Sequence, residues 1–116
     1  MAALTERDRD VIQSVLLATV DGPFYPHWEF QTLFGYERDT VRAVLDAWPE
    51  GIGTDHTDGV VQAAIFQLLA YPHGEWDAWS ARSDASIDEL KAVARRYAAD
   101  RAASQSRRQP GDNGGR

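Results

Sequence analysis

Apolar residues recur along this chain with the period of an α-helix. Val11, Ile12, Val15, Leu16 and Thr19 fall on one stripe and predict a helix over residues 5–20. Thr5 suits its N-cap, Glu6 and Asp8 suit the positive end of its dipole, and Asp21-Gly22-Pro23 ends it. The next stretch is dense in aromatics: six of the twelve aromatic residues lie between Phe24 and Tyr36. Pro26 fits the first turn of a short helix over residues 26–34, and Gly35 fits its C-terminal cap. Val41, Val44, Leu45 and Trp48 repeat at i, i+3, i+4 and i+7 and predict a third helix over residues 38–48.

The polar, Gly-rich residues 50–59 read as a loop. The helix expected over residues 58–71 is the most apolar, with Val60, Val61, Ala64, Ile65, Leu68 and Leu69 on one stripe and Ala63, Phe66 and Ala70 on other faces. A helix that is apolar nearly all round belongs at the centre of a bundle. Pro72-His73-Gly74 breaks it, and Glu75–Trp79 forms one helical turn. Ser86-Ile-Asp-Glu89 matches a capping box and opens a last helix over residues 87–103. Residues 104–116 contain no hydrophobic side chain and are expected to stay disordered. The expectation is an all-α, compact bundle of four to five helices over residues 1–103, followed by a disordered tail over 104–116. The aromatic segment is expected to wedge between the first and third helices.

Composition adds constraints. The chain has 116 residues, 43% of them hydrophobic, which suits one domain with its own core. No cysteine is present, so disulfides, thiol nucleophiles and thiolate zinc sites are excluded. No run of 18 apolar residues exists and the first ten residues carry no signal-peptide core, so the expected location is the cytoplasm, with no membrane. The net charge of −6 is divided unevenly: residues 1–80 carry 4 basic and 13 acidic side chains, residues 81–116 carry 8 and 5. An acidic body repels nucleic acid and favours a basic partner.

Catalytic and metal motifs are weak. His27, His56 and His73 sit near Glu29, Asp55, Asp58, Glu75 and Asp77, but no pair has the spacing of a known metal motif. Glu89-Leu-Lys91 looks like a nuclease fragment, yet Glu89 already has a structural role in the capping box. No cofactor, catalytic residue or metal ligand is therefore assigned. A small metal-dependent enzyme is the third reading. The second is a helix-turn-helix DNA binder. Val41 and Val44 stand six and nine residues after Gly35, and Arg38, Thr40 and Arg42 would face DNA. Glu37, Asp39 and Asp46 around the same helix argue against nucleic acid.

The leading reading is a non-enzymatic protein-interaction module, a small regulator or an immunity-type protein, with a basic protein partner. Its candidate binding residues are Tyr25, Trp28, Glu29, Trp76 and Trp79, where aromatic density meets acidic charge.

The run from Gly22 to Gly35, with Ala47-Trp48-Pro49 and Tyr71-Pro72-His73-Gly74, resembles a family of small uncharacterised bacterial proteins. The likeness covers residues 4–74 and rests on the pattern Gly-Pro-Phe-x-Pro-x-Trp-Glu-Phe-x-Thr-Leu-Phe-Gly. His27 stands where the family form has an acid, which makes it a poor metal ligand. The resemblance implies a bacterial, cytoplasmic protein and carries no activity or binding residues with it.

Overall fold

The computed structural model describes residues 4–22, 25, 27–71 and 74–108, without the side chains of 27 and 104–108. Among the described residues six α-helices follow one another: α1 (Glu6–Asp21), α2 (Phe30–Phe34), α3 (Arg38–Ala47), α4 (Asp55–Ala70), α5 (Trp76–Arg82) and α6 (Ile87–Arg108). A 3-10 turn over His27–Glu29 leads directly into α2. Among the described residues there is no strand, and the architecture is an all-α bundle.

α1 starts as its sequence dictates. The Thr5 hydroxyl accepts from the Asp8 N–H at 3.0 Å, and the Asp8 carboxylate accepts from the Thr5 N–H at 3.1 Å. This reciprocal bonding satisfies two donors that the helix leaves open. The apolar stripe of α1 is buried from Val11 to Val20 and packs against α3, α4, α5 and α6. α4 packs against α1, α2, α3 and α6, so the centre of the bundle is shared by α1 and α4. Val60, Val61, Ala64, Ile65 and Leu68 line its buried side.

Several boundaries differ from the sequence expectation. α4 begins at Asp55 because Thr54 serves as its N-cap, accepting from the Thr57 N–H at 3.3 Å. The turn before it depends on Gly51 and Gly53 at φ 96° and 99°. Such values favour residues without a Cβ. α5 continues to Arg82 instead of closing after one turn. α6 runs five residues past the expected end at 103 and reaches Arg108, so the domain boundary drawn there falls inside a helix. Pro23, Phe24, Pro26, Pro72, His73 and residues 109–116 lie outside the described residues. The proposed helix starts and stops at those positions lie there too; of the tail expected to be disordered, residues 104–108 instead continue α6, and residues 109–116 lie outside the described residues.

The Ser86 box is half realised. The Ser86 hydroxyl accepts from the Glu89 N–H at 3.1 Å, but the Glu89 carboxylate turns to Arg7 of α1, at 2.8 Å. Arg7 also reaches Asp84 at 2.8 Å. The carboxylate thus ties α6 to α1 as well as standing at the start of α6.

Candidate functional site

The aromatic segment does not wedge between α1 and α3. α2 packs against α4, and the Gln67 amide on α4 donates to the Leu33 carbonyl at 2.8 Å. Phe30 and Phe34 stack with ring centroids 4.5 Å apart. Tyr25 meets Phe34 edge-on at 4.9 Å, and Tyr71 from the end of α4 closes on Tyr25 at 5.5 Å. These rings form one layer of the core. Tyr25 is buried within it, which corrects its assignment as a partner-binding residue. Burial also holds its phenol well above the ordinary tyrosine range, with Tyr71 adding to the effect. Edge-to-face ring contacts of this kind add to the area they bury.

Trp28 is different. It lies on the 3-10 turn, two residues before Phe30, and is 79% exposed. The turn beneath it is held on both sides. Phe30 enters the core layer, and the Glu29 carboxylate accepts from the Tyr71 hydroxyl at 3.2 Å. A large indole is therefore presented to solvent from a braced piece of backbone. Gln31, three residues on and one helical turn away, shares its side.

Gln31 also lines a cleft of about 300 Å³ together with Phe30, Glu37, Arg38 and Asp39. The Arg38 guanidinium lies 4.2 Å over the Phe30 ring. It donates to the Thr19 and Val20 carbonyls at 3.2 and 2.8 Å, at the end of α1. A cation there is favoured by the helix dipole. Arg38 is thus committed inward, while Glu37 and Asp39 at the cleft are exposed. Arg42 forms an ion pair with Asp21 at 2.7 Å. Thr40 is half-buried, and its N–H bonds to the Glu37 carbonyl at 3.0 Å. Of the three residues assigned to a DNA-facing surface, the two arginines therefore serve the α1–α3 contact.

The remaining candidates lie on α5. Trp79 is 2% exposed, and its indole N–H donates to the Ala85 carbonyl at 2.8 Å. Its assignment to a binding surface is corrected: it fills the core, and its one polar atom is satisfied inside the protein. Trp76 is half-buried and packs against the same core. The five named residues thus divide, with Trp28 at the surface, Glu29 bracing it, Trp76 half-covered, and Tyr25 and Trp79 inside.

One exposed ring was missed by sequence reasoning. Phe66 on α4 is 63% exposed. Its signal was present in the sequence, because Ala63, Phe66 and Ala70 fall on the side of α4 away from Val61 and Leu68. Apolarity all round predicts centrality, and α4 is central, but it also keeps Phe66 exposed on one apolar face.

Two buried carboxylates are structural. Asp8 is fully buried and receives two hydrogen bonds from Arg96. Asp58 accepts from the Tyr97 hydroxyl at 2.5 Å and from the Gly53 N–H at 3.1 Å. Burial, aided by Asp58, pushes the Tyr97 phenol far above its ordinary range. Among the described residues no three His, Asp or Glu side chains gather where they could hold a metal. His56 sets its ring against Tyr36 at 6.1 Å, while His73 and the His27 side chain lie outside the described residues. Among the described residues no helix is long and apolar enough to cross a membrane. No family model, curated protein or solved structure matches the chain.

Proposed function

We propose that the protein is a non-enzymatic interaction module whose primary docking element is Trp28. The observation that carries this reading is an indole 79% exposed on a turn anchored by Glu29 and Phe30. A solvent-facing Trp on rigid backbone loses little conformational freedom on binding, which is what makes Trp a frequent interface anchor. The nearby cleft supplies the polar part. Glu37 and Asp39 are exposed there, and Arg38 is occupied by α1 carbonyls, so the site favours a lysine or arginine from a partner. The −9 balance of residues 1–80 favours the approach of a basic protein.

The test is affinity capture from native lysate with three baits: the wild-type chain, Trp28→Ala, and Glu37→Gln combined with Asp39→Asn. A protein held by the wild type and lost from both variants is the expected result. Equal retention by all three overturns the surface. Recovery of a specific DNA fragment would replace this reading with the helix-turn-helix one.

A further inference from the structure

A second surface on this molecule has the opposite electrical character. Between α4 and α6 runs an open groove of about 260 Å³ lined by Gln62, Ile65, Phe66 and Ala94. Phe66 stands at its edge, and residues 59–71 of α4 carry no charge at all. On α6, Lys91, Ala98 and Arg101 lie three residues before, four after and seven after Ala94, on the same side of the helix. Of these, Lys91 and Arg101 are the two charged residues, while Arg96, on another face, is paired with Asp8. An apolar floor thus meets a basic wall.

Arg101 marks where a partner's charge would sit. One of its terminal nitrogens donates to the Gln62 side-chain oxygen, a neutral acceptor. Its Nε–H is buried and has no hydrogen-bond partner. Among the described residues no carboxylate forms an ion pair with it. A guanidinium binds a carboxylate best through two parallel N–H donors. An acidic side chain entering the groove would give the guanidinium the counter-charge that the neutral Gln62 does not.

We propose that this groove receives an amphipathic helix of a partner protein, with an apolar side chain against Phe66 and an acidic residue on Arg101. Two of the chain's own segments do not fit. Residues 109–116 contain no hydrophobic side chain. α3 exposes Asp39 and Asp46, but its Val41 and Val44 are already buried. This proposal does not depend on Trp28, and its test separates the two surfaces.

The probe is a synthetic helical peptide with leucines at i, i+3, i+4 and i+7 and flanking glutamates, compared with a sister peptide carrying lysines in their place. Each is titrated into the full-length 15N-labelled protein and followed by amide chemical shifts. The glutamate peptide is expected to shift Gln62, Ile65, Phe66 and Ala94 saturably, and to bind at least about tenfold more tightly than the lysine peptide. Phe66→Ser and Arg101→Gln are each expected to weaken it several-fold, with the rest of the spectrum unchanged, while Trp28→Ala leaves it unaltered. Equal affinity for both peptides, shifts confined to the Trp28 side, or no shift at millimolar peptide overturns the proposal. So does sedimentation showing that the free chain pairs with a second copy through Phe66.

Discussion

Asp8 and Arg96 are separated by 88 positions in the chain and joined by two hydrogen bonds, Nε to Oδ2 at 2.9 Å and Nη2 to Oδ1 at 2.6 Å. The pair is unequal. Asp8 is fully buried at the first turn of α1, whereas the Arg96 side chain is 41% exposed. Arg96 can turn to water when its partner is removed. Asp8 cannot, because its backbone is fixed in the capping box with Thr5.

The inequality predicts the order of two substitutions. Arg96→Met leaves a carboxylate buried without its counter-charge and is expected to cost about 3 kcal/mol. Asp8→Asn removes the charge but keeps an N-terminal side chain able to bond the Thr5 N–H, so it should cost about 1 kcal/mol. Urea unfolding at neutral pH checks the order, and an Asn variant as unstable as the Met variant would show that the charge itself holds α1 to α6.

The same contacts make stability depend on acid. The Arg96 guanidinium holds the Asp8 carboxyl below its usual value, and Arg7 does the same for Asp84 and Glu89. Each folded-state value lies below the unfolded one. Their contribution is therefore complete above the ordinary carboxylate range and disappears as pH falls through the lowered values, below about pH 4. Urea midpoints should be flat from pH 7 to 5 and drop below 4. Asp8→Asn should make that drop shallower, and an unchanged profile would assign the acid sensitivity to other groups.

Trp28 and Trp79 give opposite expectations from one residue type. Trp79→Ala empties a core position and loses the bond to Ala85, at a cost of about 3–5 kcal/mol. Trp28→Ala touches a ring that is 79% exposed and should change stability by no more than about 0.5 kcal/mol. Thermal melts measure both. A large loss at Trp28 would mean that its ring contributes to the fold rather than to a surface.

That contrast shows where sequence reading reaches its limit. The stripe on α1, the Thr5 cap and the short aromatic helix ending at Gly35 were legible because each depends on neighbours within a few residues. Which tryptophan faces out was not, because the 3-10 turn carrying Trp28 and the α5 carrying Trp79 are both too short for a period to define a face. The acceptor of the buried Trp79 indole is the Ala85 carbonyl, which returns beside it after α5 has ended. The start of α4 was misplaced for a related reason. Thr54 sits among glycines and polar residues that read as loop, and only the bond from the Thr57 N–H identifies it as a cap. The role of Arg38 lay beyond local pattern altogether, since its acceptors are carbonyls 18 and 19 residues earlier.

Tyr97 and Asp58 present the sharpest case for a buried polar contact. Both are nearly sealed from solvent, and Asp58 has the Tyr97 hydroxyl and the Gly53 N–H as its donors. Tyr97→Phe removes one oxygen while keeping the ring that packs in the core. Loss of that single donor leaves a buried carboxylate with the Gly53 N–H alone, which predicts a destabilisation of about 1–3 kcal/mol. The second substitution of the cycle separates the hydroxyl from the charge. Asp58→Asn leaves the bond to Tyr97 possible without a negative charge to bury, so Tyr97→Phe should cost less in the Asn background than in the wild type. Urea unfolding of the two single variants and the double variant measures the coupling. A coupling near zero would mean that the Gly53 turn, and not the tyrosine, satisfies Asp58 and positions the start of α4.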